Sequence, residues 1–278
     1  MTELRKLQLL EVNLLVKFQE ICEKNNLTYY FVGGGLIGAL RHGGFIPWDD
    51  DLDIVMPRDD YDKFVEICKN GIENGYGLIH YDTDIEPNWN TAYSQFVDLQ
   101  SEIETTINFS TKKTFVWIDV FAIDGTPNNC IYRWFYVHYM FYIRYLMVLC
   151  DVNNRAGLRE RSLLEKIILF IFRKLPILNF LNGKQIVRYF EKKVRKHNFD
   201  NSLYCCNFNG KYRLKELQPQ KRWGTPVKLK FEDIQVSVPE LYHDFQTHLY
   251  GNYMMFPPLE KRIAHNVKII KTRDINIV

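Results

Sequence analysis

Apolar residues recur at Leu7, Leu10, Leu14, Leu15, Phe18 and Ile21 with charges between them, the spacing of one buried helical face. A helix is therefore predicted over Leu4 to Lys24, ended by Asn25 and Asn26. The pattern then changes. Thr28 to Val32 is β-branched and aromatic and reads as a strand, which Gly33-Gly34-Gly35 turns into a short helix over Leu36 to Arg41. His42-Gly43-Gly44 supplies the flexible cap that ends that helix. Asp51 to Val55 reads as the next strand, Asp59 to Lys69 as a helix with acidic residues at its N-terminus, and Thr114 to Ala122 as a third strand. Residues 128–200 read as mostly helical, Pro226 to Val238 as β-rich and Pro239 to Tyr250 as a last helix. No internal repeat or low-complexity linker interrupts this order.

The polar positions that break the pattern carry the chemistry. Side chains alternate along a strand, so Asp51 and Asp53 share one face while Leu52 and Ile54 enter the core. Adjacent carboxylates raise each other's cost of ionisation, and a fold holds such a pair mainly where a divalent cation or a shared proton offsets the repulsion. Oxygen ligands with no Cys or His beside them favour Mg²⁺ or Mn²⁺ over zinc. Asp119, between Ile118 and Val120 on a later strand, offers a third acid. A glycine turn, a short helix and a D-x-D strand together can bring phosphate oxygens against backbone N–H groups while metals hold them from the other side. A second D-x-D, Asp82-Thr83-Asp84, lies in a polar stretch without hydrophobic alternation and reads as a loop.

Composition adds two constraints. At 278 residues and 46% hydrophobic content the chain can bury a large core. Its 15% aromatic content, concentrated between Tyr132 and Tyr145, exceeds what a core requires and marks an interface. The net charge of +3 hides an asymmetry: residues 153–198 carry twelve Lys/Arg against three Glu. That segment also holds the apolar runs Ile167 to Phe172 and Leu175 to Leu181, a pattern that fits an anionic membrane surface or a helical subdomain with a solvated basic face. It has no base-reading motif, so nucleic acid is not an expected partner. Six cysteines without C-x-x-C spacing read as reduced thiols of a cytoplasmic protein. The N-terminus reads as neither signal peptide nor anchor, and Tyr132 to Cys150 is broken as a membrane span by Arg133, His138 and Arg144.

The run from Gly33-Gly34-Gly35-Leu36-Ile37-Gly38 through Arg41-His42-Gly43-Gly44-Phe45-Ile46-Pro47-Trp48-Asp49-Asp50-Asp51-Leu52-Asp53-Ile54 resembles the signature of the LicD-type phosphotransferases, which include the fukutin-related enzymes. The resemblance continues in Trp117-Ile118-Asp119-Val120-Phe121-Ala122-Ile123-Asp124-Gly125-Thr126-Pro127. It returns in Tyr250-Gly251-Asn252-Tyr253-Met254, Pro257-Pro258 and Lys261-Arg262 to His265, and skips roughly residues 128–200. Ala122 stands where the family commonly has proline.

The resemblance implies an α+β fold with a polymerase-β-like nucleotidyltransferase core: a small mixed sheet flanked by helices, with a helical, basic insertion. Residues 1–127 would form the catalytic core, 128–200 the insertion and 201–278 the part that completes the catalytic domain. It implies a metal-dependent enzyme moving an alcohol phosphate, such as phosphocholine from CDP-choline, to a glycan hydroxyl. That glycan would be a lipopolysaccharide, a teichoic acid or a lipid-linked precursor. With the basic, apolar segment described above, the expected location is the cytoplasm, peripheral on the inner face of the cell membrane. Asp51 and Asp53 match the metal-binding D-x-D, Asp119 the third acid and Asp49 a further acidic position. Asp119 is the candidate proton acceptor. Gly33, Gly34 and Gly35 would face the donor phosphates. Arg41 suits a phosphate or a salt bridge to the acidic loop, and His42 a donor contact or a turn. Trp48 suits a stacked base or a wedge into the core. Lys261, Arg262 and His265 lie at helical spacing and could close over an anionic donor. Two other functions use parts of the same pattern: a D-x-D glycosyltransferase, and a catalytically silent nucleotide-binding scaffold.

Overall fold

The computed structural model describes residues 1–72, 75–107, 110–150, 182–262 and 266–273. Helix α1 (Glu3–Lys24) starts where the Thr2 hydroxyl accepts the Arg5 N–H at 3.2 Å, and buries Leu7, Leu14, Leu15 and Phe18 against the sheet. Its apolar stripe is the predicted one. Strand β1 (Tyr30–Val32) leads into α2 (Gly33–His42), and Gly43, in the left-handed region at φ 68°, closes that helix. The three glycines are thus the first turn of α2 rather than a turn before it.

Strand β2 (Asp53–Pro57) begins two residues later than expected, leaving Asp49 to Leu52 as a loop. Helix α3 (Arg58–Lys69) follows directly, then β3 (Tyr76–Ile79) and the long hairpin β4 (Ser94–Ile107) and β5 (Ser110–Gly125). After α4 (Cys130–Cys150) and α5 (Gly183–Val194) come β6 (Tyr204–Cys206), β7 (Leu217–Pro219), β8 (Val227–Phe231) and β9 (Ile234–Val238). Helix α6 (Tyr242–Tyr250) and β10 (Asn266–Lys271) complete the described chain. The apolar runs at 167–172 and 175–181 fall outside the described residues.

The fold is α+β, with a mixed sheet of eight strands, larger than expected from sequence. Its spine runs β1-β2-β5-β4-β10, with β3 beside β4 and β6 joining β5 to β7. Among the described residues β2 and β5 form the parallel pair, and the other pairings are antiparallel. A separate hairpin of β8 and β9 docks through its turn: Glu232 accepts from Arg5 at 2.9 and 2.7 Å and from the Phe45 N–H at 3.1 Å. This fastens the chain immediately before the acidic loop to the start of α1. Strands from 201–278 therefore extend the sheet at β5 and at β4.

A buried ionic clamp joins the sheet to the helices. Arg58, at the start of α3, donates to both oxygens of Asp124 at 2.6 and 3.0 Å and to Glu191 of α5 at 2.8 Å. All three side chains are buried, and Arg195 adds a further contact to Glu191 at 2.7 Å. Asp124 thus acts in packing although it stands in the Asp119 to Pro127 motif. Removing one partner strands a buried charge, so Asp124→Asn is expected to lower unfolding free energy by about 3–5 kcal/mol, read from urea denaturation.

Candidate active site

The acids converge because two strands end side by side. Asp53 opens β2 and pairs in register with Asp119 of β5, and the Asp119 N–H donates to the Leu52 carbonyl at 3.0 Å. Paired residues of a parallel sheet project to one face, so the two carboxylates are neighbours at strand spacing. Leu52 and Ile54 are fully buried, as the alternation predicts. Gln95, opposite Asp119 on β4, donates to its Oδ1 at 2.8 Å.

The loop before β2 adds three more acids. Asp49, Asp50 and Asp51 each bring one carboxylate oxygen within 4.8 Å of the others. Asp50 is buried and joins a group that strand alternation alone would exclude, because this stretch lies ahead of β2 and outside the sheet pairing. The Gln8 side chain of α1 holds the loop by donating to the Asp49 carbonyl at 2.9 Å.

The glycines also make room for the acids. Gly33 has φ 64°, and a Cβ there would lie 2.6 Å from Asp53 Oδ2. A Cβ on Gly34 would collide with Asp49 Oδ2, and one on Gly35 with the Phe31 ring. The space freed by Gly33 and Gly34 is therefore filled by carboxylates of the protein itself. No side chain caps α2, so the positive end of its dipole faces these acids.

Charge is nonetheless in excess. Burial, then Asp51, Asp119 and Asp49, holds the Asp53 carboxyl well above the usual range. Burial and Asp51 raise Asp119 too, against the lowering effect of Gln95 and Trp117. Glu11, on the buried stripe of α1, is fully enclosed with both carboxylate oxygens lacking a hydrogen-bond partner. Burial and the charges of Asp51, Asp50, Asp49 and Asp119 push it up strongly. Glu216, buried near the same site, is pushed up to about 7 by burial. Tyr250 and Tyr212, whose rings meet at 5.0 Å, both feel Asp53 and Glu216. This donor set is all carboxylate oxygen and over-supplied with negative charge, so it fits a hard divalent cation.

A basic and aromatic cluster stands beside the acids. The Arg41 guanidinium lies 4.6 Å from the Phe256 ring centroid, and Arg262 lies 5.2 Å from both Phe256 and Trp48. His42 meets Phe256 edge-on at 5.6 Å and Trp48 at 6.4 Å. Burial and Arg41 lower the His42 pKa, which favours a neutral imidazole. Arg41 donates to the Tyr253 and Met255 carbonyls, and burial and Arg262 lower its pKa against the raising effect of Asp49. Trp48 packs with Ile37, Ile46 and Tyr253, the wedge expected of it. At the C-terminal end Leu259–Lys261 forms a short 3₁₀ turn, with Arg262 just after it. His265 and the Lys261 side chain fall outside the described residues. Asp82 and Asp84 lie in a loop, where Asp82 pairs with Lys69 and Arg188.

Sequence reasoning missed Glu11, Asp50, Gln95, Glu216, Tyr212, Tyr250 and Phe256. Glu11 had a signal: it interrupts the apolar stripe between Leu7 and Leu14, where an acid has no solvent to face.

Because Asp119 is held above its unfolded value, the protonated native state is favoured; that stability is present near pH 4 and lost as pH rises through the raised value. Metal-free Asp119→Asn protein is therefore expected to melt with the parent near pH 4 and roughly 10 °C above it at pH 8, measured by calorimetry.

Residues 26–145 match the family described as LicD/FKTN/FKRP, nucleotidyltransferase domain, a span holding Asp49 to Asp53 and Asp119 and reaching into α4. Over 270 residues, 95% of this chain and 96% of the relative, the protein is 28% identical to the lipopolysaccharide cholinephosphotransferase LicD of Haemophilus influenzae. Two uncharacterized rickettsial proteins are similar over shorter stretches. One, from Rickettsia typhi, is 43% identical over 22% of this chain and 20% of its own length. The other, from Rickettsia prowazekii, is 30% identical over 41% and 38%. The acidic motifs thus lie within a stretch similar to the LicD/FKTN/FKRP nucleotidyltransferase domain, and the Haemophilus influenzae relative is similar along nearly the whole chain.

Proposed function

We propose that the protein is a metal-dependent phosphotransferase that moves an alcohol phosphate from a CDP-linked donor to a hydroxyl of a cell-surface glycan or its lipid-linked precursor. The observation that carries this reading is the pairing of Asp53 with Asp119, beside the Asp49 to Asp51 loop. The Haemophilus influenzae relative transfers phosphocholine and acts on lipopolysaccharide, which favours phosphocholine and a lipid-linked sugar here.

In this reading Asp49, Asp51, Asp53 and Asp119 hold Mg²⁺ or Mn²⁺. The ion, when bound, offsets the carboxylate repulsion and neutralises charge on the donor diphosphate. Phosphoryl transfer asks the protein mainly for positioning and electrostatic stabilisation. Arg41 and Arg262 are two cations held against one ring, an arrangement that suits the donor's phosphates, and Trp48 and Phe256 offer faces for its base. The acceptor hydroxyl attacks the phosphorus that carries the alcohol. Its oxygen forms the new P–O bond, its proton passes to Asp119, and the bond to the bridging oxygen breaks to release CMP. An Asp119 carboxylate oxygen that the ion leaves free can accept that proton. Gln95 keeps the carboxylate aimed.

Asp51→Asn, Asp53→Asn and Asp119→Asn are each expected to lower CMP release from CDP-choline by at least ~10²–10³-fold while the protein stays folded. Chelation of divalent ions should do the same, and Mg²⁺ should restore the rate. Unchanged turnover in the folded variants would exclude the reading. Arg41→Ala and Arg262→Ala should raise KM for the donor about tenfold, with a smaller fall in kcat, in steady-state assays.

A further inference from the structure

The outer face of α4 is built for something other than water. Its buried stripe, Tyr136, Val137, Met140, Ile143 and Met147, packs inward. The opposite face presents Ile131, Trp134, Phe135, Tyr139, Tyr142 and Tyr145, with Trp134 56% and Phe135 62% exposed. A water-facing helix ordinarily carries charges on such a face. The Arg and Lys residues of α4 are Arg133 and Arg144, and both turn away: Arg133 donates to the Pro127 and Asn128 carbonyls, Arg144 to those of Gly210 and Asn209.

The chemistry of the strip identifies what covers it. Tyrosine and tryptophan combine an apolar ring with a polar tip, and are enriched where hydrocarbon meets headgroup. Tyr139 is joined hydroxyl to hydroxyl, at 2.6 Å, to the exposed Tyr189 of α5. Lys193 lies 4.9 Å from the Tyr189 ring, and Lys192 and Lys196 stand exposed on the same part of the chain. Among the described residues neither Lys192 nor Lys196 has a carboxylate partner, whereas Arg188 and Arg195 are paired with Asp82 and Asp62. An aromatic strip bordered by unpaired lysines complements a surface that is apolar below and anionic above. A second copy fits poorly, because an isologous contact would set this basic border against itself and α4 contains no acid to meet it.

We propose that the exposed face of α4, with Lys192 of α5 and Lys196 just after that helix, docks the protein on an anionic lipid bilayer. Trp134 and Phe135 enter the acyl boundary, Tyr139, Tyr142 and Tyr145 stay at headgroup depth, and Lys192 and Lys196 contact lipid phosphates. This adds a membrane-binding surface to the phosphotransfer reading and stands independently of it.

The test is co-sedimentation of the full chain with vesicles of phosphatidylcholine alone and vesicles enriched in phosphatidylglycerol. The anionic vesicles should bind at least about tenfold more tightly, with the difference shrinking at high salt. Two double variants, Trp134→Ser with Phe135→Ser and Lys192→Glu with Lys196→Glu, should each weaken that binding about tenfold or more at unchanged melting temperature. Equal binding to both vesicle types, no binding, or retained binding in both variants would overturn the proposal. So would a lipid-free dimer that the Trp134/Phe135 variant abolishes. CMP release with a water-soluble acceptor should persist in both variants, so failure of docking and failure of phosphotransfer are read separately.

Discussion

The parallel pairing of β2 with β5 sets Asp53 beside Asp119, and most of the surrounding structure answers the repulsion this creates. Parallel strands need a crossover, here provided by α3, β3 and β4, so chain segments far apart in sequence supply the two acids. The pairing also fixes spacing. Neighbouring strands lie about 4.8 Å apart, a distance at which two carboxylates cannot both ionise cheaply but can share a cation.

Several elements act on that same excess charge from different sides. Helix α2 turns its N-terminal end toward the acids, Gln95 donates to Asp119, and Gln8 of α1 holds the backbone of the loop. Glu11 works in the opposite sense: enclosed and without a hydrogen-bond partner, it adds a carboxyl that is tolerated only while protonated. The β8–β9 turn anchors Phe45 through Glu232, and Gln246 of α6 donates to the Gly33 carbonyl at 3.1 Å. The N-terminal helix and the last third of the chain are thus both used to steady one short loop.

Much of this was legible in the sequence where periodicity or local chemistry decides the outcome. The stripe of α1 and the alternation of Leu52 and Ile54 fixed their burial, and the D-x-D spacing pointed to a shared face for Asp51 and Asp53. The residue motifs also carried the resemblance to the LicD-type phosphotransferases, with which residues 26–145 match. What escaped depends on tertiary partners. The arrest of strand pairing before Asp53 brought Asp50 into the acidic group, which alternation could not foresee. Gln95 matters through its register with Asp119, a relation across 24 positions. Asp124 stands in the same motif as Asp119, yet Arg58 binds it and Glu191 together in packing, a role that no local pattern marks. The C-terminal cations were read at helical spacing, and the approach of Arg262 to Trp48 across more than 200 positions is a tertiary contact that spacing does not show.

The tight seat of Asp53 and Asp49 against Gly33 and Gly34 gives the chain a hidden vulnerability. A single methyl group at Gly34 would favour the helix by propensity yet evict a carboxylate from its place. Activity could then vanish in a relative that keeps every acid. For proteins built on this plan, a complete roster of aspartates is no guarantee of a working enzyme, and the two hydrogens on a glycine Cα are as diagnostic as the oxygens they make room for.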